Sequence, residues 1–158
     1  MRGLNNDLPF YICEFRANEA FEMQRMQRQL ISSLANLQVP SLGGRGVQVL
    51  EINLYDLCIE LLQAREGSSD GGRLWDEILA VEPDVEKDNL LELLQNVLGI
   101  EDYLIPAIGE RLQQTEFDVL FLTGIGEVFP YIRSHNVLNN LQSTAKDKPT
   151  VLFFPGEY

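Results

Sequence analysis

With 158 residues, 45% hydrophobic and 23% charged, the chain suits one globular domain with a sizeable core. Its net charge of −12 opposes contact with phosphate backbones, and no apolar run approaches the ~18 residues that span a bilayer. The opening MRGLNNDLPFYICEF lacks the apolar region and cleavage site of a signal peptide, and two isolated cysteines, Cys13 and Cys58, make no disulfide framework. A reducing cytoplasm is the expected compartment.

The charge is uneven. Residues 51–118 hold 17 Asp and Glu against 4 Lys and Arg, while the remainder holds 7 acids and 8 bases. The acidic middle reads as solvated helix faces, with a docking surface for a basic partner as the sharper alternative. No compact basic cluster offsets it, so the isolated chain is expected not to bind nucleic acid directly.

The first strand is predicted over residues 9–15, with Pro9 at its start, where a missing N–H costs little. Asn18 is placed to cap the next helix, with Glu19 and Glu22 in its first turn. Met23, Met26, Leu30, Leu34 and Leu37 recur at helical spacing and predict a core-facing stripe. Residues 40–46, PSLGGRG, predict a mobile loop. It is no phosphate cradle, because its glycines precede a strand and the chain has no Gly-Lys pair. Residues 47–53, VQVLEIN, alternate as a strand and run into a helix capped by Asn53, with Leu54, Leu57, Cys58, Leu61 and Leu62 inward and Gly67 at its end. Asp56 near that strand's end could reach a rim site, although its position in the first helical turn is explanation enough.

Residues 72–115 predict a helical excursion of three pieces between the second and third strands. Pro83 breaks the first, Gly99 stops the second, and Pro106 lies in the first turn of the third or kinks it. The apolar runs at 117–123 and 150–154 then read as strands buried on both faces, and the ~25 residues between them are a crossover rather than a hairpin. The fold class is therefore α/β: an open, mostly parallel sheet of about four strands with flanking helices in a single domain. Open parallel sheets carry their functional loops at the carboxyl ends of the strands. Those ends are Thr123-Gly-Ile-Gly-Glu127 and Pro155-Gly-Glu-Tyr158, which should emerge side by side.

The rim holds no recognisable catalytic set. Two cysteines and one histidine offer no zinc spacing, and nothing selects a hard cation at Asp118, Glu127 or Asp56. No Gly-x-Ser-x-Gly elbow is present, and Ser134 reads as the cap of a helix over 136–142. Gly124-Ile-Gly126 starts like a dinucleotide fingerprint but has Phe129 at the third glycine position, so it reads as a tight turn with room for a neighbour. Arg133 could clamp a phosphate or carboxylate, or tie the crossover to Glu127 or a strand-end carbonyl. His135 is the sole histidine, and Asn136, Asn139 and Asn140 can hydrogen-bond backbone without a ligand. No enzyme activity and no cofactor are expected. The alternative is a nucleotide- or phosphate-sensing protein using Arg133 and His135.

The stretch TGIGEVFPYIRSHNVLNNLQ at 123–142, followed by VLFFPGEY at 151–158, resembles the BrxB family of BREX phage-defence islands. The matching positions include Gly124, Gly126, Pro130, Arg133, Ser134, His135, Asn136, Asn139, Asn140, Pro155, Gly156 and Tyr158. The resemblance implies a parallel α/β fold similar to a nucleotide-binding fold without a P-loop. It also implies a non-enzymatic adaptor that binds other BREX subunits, chiefly the alkaline-phosphatase-like PglZ, and supports host DNA modification and phage exclusion. No catalytic residue carries over. Family chains usually have a further helical segment before the first strand and more sheet after Pro-Gly-x-Tyr, so this chain is expected to be short at both ends.

Overall fold

A computed structural model describes residues 10–68, 71–145 and 148–158. Its centre is a four-stranded sheet in the order β1-β4-β3-β2, with every pair parallel. The strands are β1 (Phe10–Phe15), β2 (Val49–Asn53), β3 (Val119–Thr123) and β4 (Thr150–Pro155). The predicted start at Pro9 lies outside the described residues. The apolar run in β3 follows from its central place: Leu120, Phe121 and Leu122 are all buried although neighbours in a strand point to opposite faces.

Most of the chain packs on one face of the sheet. Helices α2 (Leu54–Ala64), α5 (Ile105–Gln114) and α7 (Ser134–Thr144) bury Leu57, Ile108 and Leu141 against Ile52, Leu122 and Leu152. Asn53 caps α2 as expected, its Oδ1 accepting from the N–H groups of Tyr55 and Asp56 at 3.0 and 3.2 Å. The excursion contains α3 (Leu74–Val81) and α4 (Lys87–Val97), followed by a π-turn, Ile100–Leu104, that leads into α5 with Pro106 in its first turn. Ile78, Leu98, Leu104 and Ile108 belong to the same core cluster as the sheet. Its acids Glu82, Asp84, Glu86, Asp88 and Glu92 are exposed, and α4 buries no residue completely.

The other face carries Phe121 and Phe153, whose rings meet edge to face at 5.1 Å. Helix α1 (Ala20–Asn36) lies on this side, and here the predicted stripe is turned. Met26, Leu30 and Leu37 are 52, 44 and 50% exposed, and the side turned inward is Met23, Gln27, Ile31 and Leu34. The apolar residues alone suggested the wrong rotation because the one fully buried position of α1 is a glutamine. Asn18 does not cap this helix either. It lies in a 3₁₀ turn, Ala17–Glu19, which continues directly into α1.

The glycine-rich loop is anchored rather than free. Val47 N–H bonds the Leu34 carbonyl at 2.9 Å, and a Cβ on Gly46 would stand 1.9 Å from the Ala35 carbonyl oxygen. Arg45 forks onto Asp118 at 2.7 and 2.9 Å, and Gln48 N–H donates to the same carboxylate at 2.8 Å. Asp118 thus closes the amino end of β3, far from the rim, and is committed to an ion pair. The Arg45 bond, then the Gln48 N–H, hold its carboxyl well below the usual carboxylate range. A carboxyl depressed in the folded state stabilises at pH above its unfolded value, about 4, and that contribution fades as pH falls further. Asp118→Asn should therefore flatten the loss of stability below pH 4. An acid-unfolding curve unchanged by the substitution would contradict this coupling.

Cys58 is buried in α2, and burial pushes its thiol up to about 12, so it stays protonated and inert at neutral pH.

Candidate functional site

The glycine turn after β3 and the Pro-Gly corner after β4 are in contact. A Cβ on Gly126 would stand 2.7 Å from Pro155 Cγ. Gly124 has φ +73°, and its Cβ position is 2.1 Å from Asn53 Oδ1, the atom that caps α2. The glycines thus make room for protein: one for the β2–α2 junction, the other for the end of β4. Neither leaves an open backbone cradle, and the third fingerprint position, Phe129, projects into solvent at 66% exposure.

Helix α6 (Ile125–Val128) follows the turn, buries Ile125 and Val128, and leads to a cis peptide between Phe129 and Pro130. The chain then enters α7 two residues earlier than expected. Ser134 is the first helical residue, not the cap. The cap position is Arg133, whose carbonyl accepts from Asn136 and Val137 N–H at 3.1 and 3.3 Å. The Arg133 side chain is exposed and forms no ion pair or hydrogen bond among the described residues, so the predicted tie to Glu127 or a strand-end carbonyl is absent. Asn140 bonds its own helix, donating to the Asn136 carbonyl at 2.8 Å. Asn136 and Asn139 are exposed.

The corner formed by Ile125, Gly126 and Pro155 is a wall between two hollows. On one side is a mostly apolar groove of about 600 Å³, where Phe129, Ile132 and Phe154 meet Arg133, Ser134 and His135. Phe154 stacks edge to face on Tyr158 at 5.3 Å, and Tyr158 N–H donates to Glu14 at 2.9 Å, which fixes the Pro-Gly-x-Tyr tail against β1. Gly156, at φ +114°, donates its N–H to the Phe15 carbonyl at 2.8 Å. On the other side is a polar cavity of about 630 Å³ between α1 and the strand ends, which takes in Glu127, Asp56 and Glu51. Thr123, 3% exposed, donates to Glu51 at 3.0 Å. Among the described residues no group of three or more His, Cys, Asp or Glu is arranged to hold a metal ion.

Residues 50–158, the stretch that builds this rim, match the family described as BREX protein BrxB. The chain belongs to the BrxB family. Membership makes it a component of a BREX system, with a part in phage defence. Curated relatives agree. The chain is 31% identical over 160 residues to BREX protein BrxB of Bacillus cereus (strain H3081.97), covering 99% of this chain and 75% of that one. It is 21% identical over 156 residues to BREX protein BrxB of Escherichia coli O9:H4 (strain HS), covering 99% and 70%. No solved structure matches. No helix among the described residues is long and apolar enough to cross a membrane.

The motif that carries BrxB membership divides in two. Arg133, Ser134 and His135 line the groove; Gly124, with the nearby Glu127, faces the cavity; Gly126 and Pro155 line both, while Asn139 and Asn140 lie further along α7, outside both hollows. Two residues that sequence reasoning passed over matter here. Phe129 was read as a failed glycine inside the matching stretch, not as a contact, and Gln27 was not singled out.

Proposed function

We propose that this BrxB protein is a non-enzymatic adaptor that docks PglZ through the groove beside Phe129, and so supports host DNA modification and phage exclusion. The observation that carries this reading is the Phe129 ring, 66% exposed beside an apolar groove flanked by Arg133 and His135. A large aromatic left in water next to an uncommitted arginine is the composition of an interface hot spot. The acidic helices serve in this reading as solvated surface. Purified protein is expected to co-migrate with PglZ in size exclusion; separate elution at micromolar concentrations would remove the main support.

The competing reading is phosphate sensing, favoured by the unpaired Arg133. Against it stand the occupied glycines of the turn and the apolar lining of the groove. A thermal-shift screen with nucleotides, with and without magnesium, is expected to be flat.

A further inference from the structure

The polar cavity on the far side of the Gly126–Pro155 wall has a feature that docking does not use. Gln27 is 6% exposed, lines the cavity, and makes no hydrogen bond among the described residues. No polar side-chain atom among those residues is sealed from solvent without a partner, so the Gln27 amide opens onto the cavity itself. A side chain this deeply set, whose amide has no protein partner and opens only onto the cavity, is placed to contact whatever occupies it.

The charges around it fix the sign of the ligand. Arg111 is paired with Glu60. That leaves Arg28 facing three carboxylates, those of Glu51, Asp56 and Glu127. A concave wall with this excess of negative charge focuses cations and repels phosphate and carboxylate groups. We propose that the cavity binds a small organic cation carrying guanidinium or ammonium groups, with the Gln27 carbonyl oxygen and the Asp56 and Glu127 carboxylates accepting its N–H donors. This site is independent of PglZ docking. The same chemistry could come from a free molecule or from a basic side chain of another protein, and the test separates the two.

Agmatine, blocked Gly-Arg-Gly tripeptide and sodium chloride at matched ionic strength would be compared by thermal shift on the purified chain. At a hundredfold excess over the dissociation constant, a bound ligand raises the melting temperature by roughly 5–10 °C. A shift with agmatine alone assigns the cavity to a free molecule. A shift with the tripeptide, with or without agmatine, assigns it to a side chain. No shift with either beyond that of the salt overturns the proposal. Gln27→Leu should leave the unliganded melting temperature within about 2–4 °C of wild type, because no hydrogen bond among the described residues is lost. It should abolish the ligand shift. Glu127→Gln, at an exposed position, should at least halve the shift and guards against misfolding of the first variant. A full agmatine shift in both variants would place the cation elsewhere and overturn the proposal.

Discussion

Phe129→Ala is expected to weaken PglZ binding by about 2 kcal/mol, roughly thirtyfold, while the melting temperature stays within about a degree of wild type. The separation follows from exposure. A ring 66% exposed contributes little to the fold and can contribute fully to an interface. Arg133→Ala should behave in the same way with a smaller effect, since its side chain has no partner within the described chain whose loss would unfold it. Titration calorimetry with PglZ and a melting curve for each variant measure the two quantities separately. Equal affinities for wild type and both variants would move the interface away from the groove. A melting temperature lowered by many degrees would make Phe129 a structural residue.

Gly124→Ala should be the most damaging single-methyl substitution at the rim, destabilising by about 2–4 kcal/mol and lowering the melting temperature by roughly 5–15 °C. Two causes add. At φ +73° a side chain is strained, and the new Cβ would meet the Asn53 oxygen at 2.1 Å. Relieving that contact moves Asn53 off the Tyr55 and Asp56 N–H groups and uncaps α2, a loss of ~1 kcal/mol by itself. Because both substitutions break one contact, Gly124→Ala combined with Asn53→Ala should cost less than the sum of the two. Strict additivity in urea unfolding would show that the glycine and the cap are not coupled.

The frame of this molecule was readable from short apolar runs stopped by Gly and Pro. Those runs gave the two central strands, β3 and β4, and the side-by-side corners, because a strand buried on both faces has a sequence unlike its surroundings; β1 and β2 were read from the Pro9 start and from the alternation of residues 47–53. The Asn53 cap was equally legible, since it depends only on near neighbours. What escaped were features decided at a distance. The rotation of α1 depends on which side of the helix meets the sheet, and there a polar residue, Gln27, faces in while Met26 and Leu30 face out. The loop at 40–46 looked mobile because its composition is glycine-rich, yet its order comes from Asp118, which lies 73 residues away in sequence from Arg45. In the BrxB motif, Gly124 and Gly126 were legible as a tight turn beside the Pro155 corner, whereas the close approach of Gly124 to Asn53 was not. Phe129 became a candidate contact only when its exposure was known.

Hydrogen exchange with and without PglZ tests the proposed docking through the groove most directly. Adding PglZ should slow exchange in segments 125–135 and 154–158 and leave the acidic helices α3 and α4 unchanged. Protection confined to residues 74–97, with the rim exchanging as in the free protein, would contradict docking through the groove.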